Sequence, residues 1–457
     1  MCIVIAAIVL GQIHSLIKNR ISYQDVAQYK IAKSWSDKQQ IAGPVLVIPY
    51  TFDPRLMQDE NYVEEATESP RDQAYSGYYY LLAGELNLKA KLTTQQKSIG
   101  TFSFPVYTTE VEFTGHIDLD ELKDSLAQLG DVQLQTPYFA VSVTDMRGLN
   151  NRPLLKLDGQ AFQFEPGSEL RFSRTHEKQG LHATLNNYLD DRMQNPSPIN
   201  FSFSLSLRGM KSLDVTPLAT EFNMTMDSNW PHPSFQGKFL PLEHEITKEG
   251  FKAKWQVSKF SANPAQSLET CSGTRCSNLL QNSFGVALNT PVDVYRQSIR
   301  SVKYGLMFAG MIFAGFFLFE VVKKWHIHPV QYLMLSMPMC VFFLILVAFS
   351  ERIGFMWAYM GSSLACVILL GIYLSAILKS IKWGALFAGF IASLYALMYV
   401  ILNSEDSALL LGSIFIFALM SLVLISTRHV NWQALTQKVN PSQDSTSNTH
   451  TNPNQNS

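Results

Sequence analysis

The sequence lacks an excess of charge of either sign and has no dense cluster of basic residues. Its 36 lysines and arginines are nearly balanced by 37 aspartates and glutamates, which gives a net charge of −1. A nucleic-acid-binding surface needs concentrated positive charge. The balance therefore argues against nucleic acid as a partner.

Familiar catalytic motifs are also missing. The chain contains no G-x-S-x-G, H-E-x-x-H or G-x-x-x-x-G-K-[ST] motif and no paired C-x-x-C motifs. These patterns mark common hydrolase, metalloprotease, nucleotide-binding and metal sites. The sequence accordingly predicts a protein that is not an enzyme and that uses no cofactor.

Cysteine is scarce, with five residues in the chain. Cys2, Cys340 and Cys366 lie in apolar stretches, whereas Cys271 and Cys276 lie in a segment rich in Ser, Gly and Asn. The latter two could form a disulfide or contribute half of a metal site. Because no second Cys or His pair lies near them, the disulfide is the favoured interpretation and no metal is predicted.

Charge is nearly absent from residues 304–427, where polar residues only briefly interrupt long apolar runs. A bilayer-spanning helix needs about 20 mostly apolar residues. Five runs meet this length: Tyr304–Val322, Gln331–Ser350, Gly354–Leu378, Lys382–Leu402 and Ala408–Thr427. The sequence predicts a C-terminal bundle of five transmembrane helices, followed by a disordered tail at residues 428–457 that is rich in Asn, Ser, Thr and Gln.

A sixth apolar stretch, residues 1–17, is interpreted as an uncleaved transmembrane anchor. The alternative is a signal peptide, but no small-x-small cleavage site precedes Lys18. Lys18 and Arg20 follow the stretch, and taken alone they would orient it the other way. An amphipathic helix is then predicted over residues 23–40, and Gly43 and Pro44 are expected to end it.

Lysines and arginines orient the bundle. Lys323 with Lys324, Lys379 with Lys382, and Arg428 with Lys438 fall on one side if the five spans alternate. The positive-inside rule makes that side cytoplasmic. Six spans then place both termini in the cytoplasm and residues 18–303 outside.

Residues 18–303 are predicted to form a mostly antiparallel β domain. Within it, residues 53–71 are predicted to form a loop, and most of the strands follow this loop. The segment Phe201–Leu207 alternates apolar and polar residues strictly, which indicates a strand with one buried and one wet face. Similar strand patterns occur at residues 78–92, 101–117, 138–143, 221–226, 242–246 and 251–257. We expect a sandwich or curved open sheets.

The most unusual stretch of this domain is residues 228–235, in which two prolines fix the backbone around one histidine. Its candidate functional residues are Asn229, Trp230, Pro231, His232, Pro233 and Phe235. His232 could act as a ligand or base. The favoured interpretation is a structural turn whose aromatic residues plug the sheet, and His244 with Glu243 and Glu245 is too weakly linked to indicate a metal site.

Four acidic residues in or beside the spans are further candidates. Glu320 could serve a proton path, although pairing with Lys323 and Lys324 is the simpler explanation. Glu351, Glu405 and Asp406 would lie at one membrane level and form an acidic outer rim. Ordinary turn residues would give the same pattern.

Several long segments resemble the CreD family of inner-membrane proteins, known as cell envelope integrity proteins. They are residues 34–50 (SWSDKQQIAGPVLVIPY), 228–241 (SNWPHPSFQGKFLP), 291–308 (PVDVYRQSIRSVKYGLMF), 328–334 (HPVQYLM), 350–355 (SERIGF) and 402–413 (LNSEDSALLLGS). The resemblance spans nearly the whole chain in order. It implies a Gram-negative inner-membrane protein with a large periplasmic domain and expression tied to envelope stress, and it implies no catalytic residues.

Two functions are consistent with these patterns. The first is a non-enzymatic envelope protein whose periplasmic domain binds membrane lipids or another envelope protein or component. The second is a membrane enzyme or transporter that uses Glu320 or the outer acidic rim. Five clustered spans without a visible inverted repeat weigh against a common secondary transporter. The oligomeric state is not indicated by the sequence.

Overall fold

The computed structural model describes residues 2–52, 75–119, 132–170, 179–189, 197–269, 281–289, 294–323 and 328–403, with isolated residues between and after these ranges. The chain divides into two compact units. The helical unit comprises residues 1–22 and 292–457, and the β domain comprises residues 23–291.

The first helix, α1, extends from Cys2 to Trp35 without a break. The predicted anchor and the predicted amphipathic helix are therefore parts of one continuous helix, since no proline or glycine between Lys18 and Tyr23 interrupts it. Gly43 and Pro44 do not end this helix. They lie inside the first strand, where Gly43 has a φ of 115° and the strand pairing shifts its register.

Sixteen strands are described in the β domain. They are β1 (Gln39–Phe52), β2 (Tyr75–Ile99), β3 (Phe102–Ile117), β4 (Val132–Leu134), β5 (Tyr138–Val143), β6 (Leu154–Leu157), β7 (Gln160–Gln163), β8 (Glu165–Pro166), β9 (Leu181–Thr184), β10 (Ile199–Met210), β11 (Ser212–Thr216), β12 (Ala219–Ser228), β13 (Pro233–Gly237), β14 (Glu243–Ile246), β15 (Phe251–Ser258) and β16 (Phe284–Leu288). Short helices cover Met146–Gly148, Lys259–Ala262 and Pro264–Glu269.

The strands form two sheets that share β2. In the first sheet the order is β13-β16-β11-β1, and β1 also pairs with β2, β4 and β5. In the second sheet the order is β14-β15-β12-β2-β3-β10-β6-β7. Most pairs are antiparallel, as predicted, but β1 with β11 and β2 with β12 are parallel.

The first and last strands of the domain lie close together in the first sheet. Gln39 at the start of β1 is opposite Leu213 of β11, and Leu213 is opposite Val286 near the end of β16. One strand therefore separates the entry of the chain into the sheet from its exit.

One apolar core lies between the two sheets. The alternation in β10 places Phe201 and Phe203 inward, and Phe203 stacks on Phe113 at 4.4 Å between ring centroids. Phe139 of the first sheet contacts both β10 rings, at 5.3 and 6.0 Å. Because burial of one such side chain stabilises the fold by about 1.5–3 kcal/mol, these contacts hold the sheets together.

The outer face of the second sheet carries columns of charge that alternate in sign. Here a column is the set of charged residues that one strand presents on this face, and the strand register places each column directly opposite the column of the neighbouring strand. The columns are Glu110 and Glu112 on β3, Lys89 and Lys91 on β2, Asp227 on β12, Lys252 and Lys254 on β15, and Glu243 and Glu245 on β14. We call this set the charge ladder. Each opposite pair contributes about 0.2–1 kcal/mol.

A buried polar junction joins the end of α1 to the start of β1. Gln39 donates from Nε2 to Ser36 Oγ (3.0 Å), Asp145 O (2.9 Å) and Arg208 O (2.9 Å). Its Oε1 accepts from the backbone N–H of Asp145 at 3.2 Å. Arg147 donates to the Asp145 carboxylate and, at 2.9 Å, to the Lys33 carbonyl in the last turn of α1. Arg147 therefore satisfies one of the carbonyl groups that the helix end leaves open.

Four further long helices are described in the helical unit. They are α2 (Val294–Lys323), α3 (Pro329–Ile353), α4 (Phe355–Ile377) and α5 (Ile381–Asn403). By length and composition, α3, α4, α5 and residues Val4–Trp35 of α1 could each cross a membrane. Most of the fifth predicted C-terminal span, and the predicted tail, lie outside the described residues.

Aromatic contacts pack these helices together. Tyr395 of α5 lies 4.6 Å from Phe308 of α2 and 4.7 Å from Phe342 of α3, measured between ring centroids. Tyr359 of α4 donates a 2.7 Å hydrogen bond to the Tyr395 carbonyl. Four helices thus meet around one tyrosine.

The Asp145 carboxylate should make the stability of the β domain depend on pH. Burial opposes its ionisation, but hydrogen bonds from Arg147 and Ser36 outweigh burial and hold the pKa of Asp145 below its usual value. A lowered pKa contributes stability above the unfolded pKa of about 3.9, and this stability is lost as the pH falls through the folded pKa. We expect Asp145→Asn to lower the free energy of unfolding by about 1 kcal/mol at pH 7 and by less below pH 4.

Urea unfolding of the full-length protein in detergent at several pH values, followed by tryptophan fluorescence, measures this difference. Asp25→Asn, at an exposed position of α1, is the matched control. An equal loss at pH 7 and pH 4 in Asp145→Asn would show that the ion pair contributes nothing.

Candidate functional site

The segment 228–246 forms the end of both sheets, and we call it the open edge. Within the described residues β13 pairs only with β16, and β14 pairs only with β15. Residues 238–242 connect these two edge strands. Most of segment 228–241, one of those that resemble the family, therefore lies at the edges of the two sheets.

Trp230 and His232 fix the turn before β13. The indole N–H of Trp230 donates to the His232 carbonyl (3.1 Å) and to the Asn289 carbonyl (3.2 Å). Pro231 and Pro233 restrict the backbone on each side of His232. The His232 ring is exposed and lies edge-on to Trp230 at 6.3 Å between centroids.

Asn229 and Phe235 attach the same segment to neighbouring strands. Asn229 Oδ1 accepts from both the backbone N–H and the hydroxyl of Thr94, each at 2.8 Å. The Phe235 ring packs against Phe251 and Trp255, each at 5.8 Å between centroids. These contacts give Asn229, Trp230 and Phe235 roles in holding the turn.

Beyond the turn, the open edge exposes large aliphatic side chains. Leu240 and Leu242 are 71% and 66% exposed, and Ile246 is 48% exposed. Surface leucines occur singly in most proteins, but several large aliphatic side chains close together at a sheet edge mark a contact surface. Sequence analysis selected the prolines and the histidine of this segment and missed these leucines.

Two polar grooves adjoin the open edge. One, of about 540 Å³, is lined mainly by charged residues of β14 and β15, among them Glu243, Glu245, Lys252 and Lys254. The other, of about 390 Å³, extends along Asp227, Asn229 and Glu249. Both grooves are open and therefore suit an extended or large ligand better than a small enclosed one.

A metal site at His244 is not supported by this geometry. Side chains alternate along β14, so Glu243 and Glu245 point away from the face that carries His244. The His244 ring instead packs against Phe235 at 5.2 Å. Within the described part of the chain, no group of three or more His, Cys, Asp or Glu residues is placed to hold a metal.

Glu320 of α2 accepts a hydrogen bond from the hydroxyl of Tyr332 on α3, at 2.5 Å. The sequence suggested local pairing with Lys323 and Lys324, whose side chains lie outside the described residues. Tyr332 was not selected from the sequence, because no local pattern links residues on two helices.

Glu351 lies in the last turn of α3, where the helix dipole disfavours a carboxylate. The hydroxyl of Tyr295 donates to Glu351 Oε1 at 3.0 Å, and Arg20 Nε lies 3.4 Å from the same oxygen. The Glu351 side chain is 11% exposed and that of Arg20 46%. This cluster joins α1, α2 and α3 at one end of the helical unit.

Four other candidate residues lie outside the described residues. They are Glu405 and Asp406 of the predicted outer rim, and Cys271 and Cys276 of the predicted disulfide. Both the rim and the disulfide therefore remain predictions.

Comparisons with known proteins agree on one family. The family model "Inner membrane protein CreD" matches residues 1–433. The protein "Inner membrane protein CreD" of Escherichia coli (strain K12) is 32% identical over 423 residues, which cover 92% of this chain and 89% of that protein. A solved M1 zinc metallopeptidase from Deinococcus radiodurans is 10% identical, covers 38% of this chain and 39% of its own, and has a TM-score of 0.19, which is too low to support any argument.

Reversing the charge of Arg20 should weaken the helical unit. Arg20→Glu places a second carboxylate beside Glu351, and we expect a loss of about 1 kcal/mol because Arg20 is partly exposed. The double variant Arg20→Glu/Glu351→Arg should recover part of that loss. Thermal unfolding in detergent measures both, with Lys18→Glu, an exposed position on the same helix, as control.

Equal stability of Arg20→Glu and Lys18→Glu would contradict the pairing. So would a double variant that is as unstable as the sum of its two single changes.

Proposed function

Because the chain belongs to the CreD family of inner membrane proteins, we propose that it supports the cell envelope without catalysis. In this proposal the β domain binds a lipid or another envelope component, and the helical unit holds the domain at the membrane. The protein takes part in the response to envelope stress through this binding.

The open edge is the observation that carries the proposal. It presents two edge strands, adjacent polar grooves and the exposed side chains of Leu240 and Leu242. Exposed aliphatic residues beside the edge of a sheet favour aggregation unless they are covered in the functional state. Binding of an envelope component would cover them.

The proposed topology has six spans, with the β domain in the periplasm and both termini in the cytoplasm. Lys379 and Lys382 lie in the connection between α4 and α5, and Lys323 lies at the end of α2. These lysines support a cytoplasmic location for those ends. The Arg20, Tyr295 and Glu351 cluster would then lie on the periplasmic side.

The absence of catalysis is supported by how the turn of residues 228–235 is built. The polar groups of Asn229 and Trp230 are engaged with Thr94, Asn289 and backbone carbonyls. A general base needs a positioned partner within hydrogen-bond reach of its substrate. The exposed His232 ring has the indole edge of Trp230 as its neighbour.

A membrane enzyme or transporter is the second candidate, and Glu320 is the observation that favours it. Its carboxylate lies on a long apolar helix and accepts a hydrogen bond from Tyr332 of the next helix. Acidic residues inside membrane helices often mark ion or proton pathways. The outer acidic rim would form the other end of such a path.

Replacing the exposed leucines should abolish binding of the envelope component. We expect Leu240→Asp/Leu242→Asp to lose at least about 90% of the lipid or protein that co-purifies with the wild type from native membranes, because each substitution removes a buried contact worth about 1.5–3 kcal/mol. Mass spectrometry of lipids and proteins in the purified samples measures this loss.

Leu154→Asp, on β6 near the other end of the same sheet, is the matched control and should retain the component. His232→Ala should also retain it. Unchanged co-purification in the leucine variant would refute binding at the open edge, and turnover that disappears in His232→Ala would refute the non-enzymatic role.

Neutralising Glu320 distinguishes the second candidate. We expect Glu320→Gln to leave proton and ion flux in proteoliposomes unchanged, since the proposed role requires no conduction. Flux measured with a pH-sensitive dye in the wild type and lost in Glu320→Gln would instead establish a pathway. Tyr332→Phe, which removes only the donor to Glu320, is the companion variant.

A further inference from the structure

We propose that β14 binds an extended segment of a partner protein in which basic and apolar residues alternate, so that the segment adds a strand to the second sheet. This inference rests on the proposed function, since it identifies the bound envelope component as a polypeptide. Strand addition uses main-chain hydrogen bonds for affinity and alternate side chains for specificity.

Among the described residues, no strand pairs with the outer side of β14, so its backbone groups are open to such a strand. Thr247 donates to the Gly250 carbonyl at 2.8 Å, which closes the hairpin between β14 and β15. In an antiparallel pair, hydrogen-bonded residues alternate with residues whose N–H and C=O groups point the other way. Counting back from Thr247 along the register, Glu245 and Glu243 bond to β15, whereas Ile246 and His244 direct their backbone groups outward.

The charge ladder selects basic residues in the added strand. Columns of opposite sign alternate from β3 across β2, β12 and β15, and the last column is acidic, with Glu243 and Glu245 on β14. On one side these glutamates lie opposite Lys254 and Lys252. On their other side, a bound strand with lysine or arginine at alternate positions would continue the pattern.

Geometry strengthens this selection. Because His244 and Ile246 would form the hydrogen-bonded pairs with the added strand, Glu243 and Glu245 would occupy non-hydrogen-bonded pairs. Cα atoms in such pairs are closer, at about 4.5 Å, so their side chains interact more strongly.

The opposite face of β14 selects apolar residues. Ile246 is 48% exposed on this face, and the His244 ring on the same face lies against Phe235. Residues that alternate with the basic ones would cover these side chains. The combined pattern is basic, apolar, basic, apolar.

Charge disfavours two other occupants. Pairing of β14 with β14 of a second copy would bring four glutamates together on one face. An anionic lipid surface would meet the same two carboxylates of each chain.

Binding of synthetic peptides to the full-length protein in zwitterionic detergent tests the inference. The probe is a fluorescent seven-residue peptide that alternates lysine with valine. Its controls are a peptide that alternates glutamate with valine and a peptide with the same lysines and valines in two blocks. We expect the alternating basic peptide to bind at least about tenfold more tightly than either control, and more weakly at high salt.

Two variants localise the site. Glu243→Lys/Glu245→Lys should weaken binding of the basic peptide at least about tenfold and strengthen binding of the acidic one, because the sign of the cross-strand pairs is reversed. His244→Pro should also weaken binding, since it removes an outward N–H and leaves the bonds to β15 in place. Glu165→Lys/Glu169→Lys, which makes the same change in net charge at exposed positions elsewhere, is the matched control.

Hydrogen exchange of the His244 and Ile246 amides should slow when the basic peptide is added. Equal binding of all three peptides, or amides that are already protected without peptide, would overturn the inference. So would self-association or anionic-vesicle binding that depends on Glu243 and Glu245. If any of these contradicting results is obtained while Leu240→Asp/Leu242→Asp still loses its envelope component, strand addition at β14 is refuted and the proposed function is not.

Discussion

The side-chain amide of Gln39 connects three separate parts of the β domain at the residue where β1 begins. It bonds Ser36 at the end of α1, Asp145 after β5 and Arg208 in β10, and it is fully buried. A buried amide is costly unless its hydrogen bonds are made, so the three segments must arrive together. Since β1 pairs with four other strands, its start sets the register of the whole first sheet.

Elements with strong periodicity could be predicted from the sequence. The alternation in Phe201–Leu207 and the long apolar runs after Tyr304 correspond to β10 and to helices α2 to α5. The continuity of α1 is not evident from the sequence, because apolar residues give way to polar ones near Lys18 while the helix continues to Trp35. The parallel pair of β1 with β11 was missed because its partners are more than 170 residues apart, and no local pattern reports such a contact.

The candidate sites were predictable only in part. Residues 228–235 stood out because two prolines flank a histidine, yet the exposed surface nearby consists of leucines that carry no unusual signal. Glu320 and Glu351 stood out as acids near apolar spans. Their partners Tyr332, Tyr295 and Arg20 come from other helices, so only the packed structure identifies them.

The first and last strands of the β domain are close in space although they are far apart in the sequence. Gln39 and Val286 lie on either side of β11, which corresponds to about 10 Å at ordinary strand spacing. A domain whose ends nearly meet can be inserted between two helices of a membrane protein at the cost of closing only a short gap. The β domain therefore has the connectivity of an insertion, with the start of its first strand and its last strand only one strand apart.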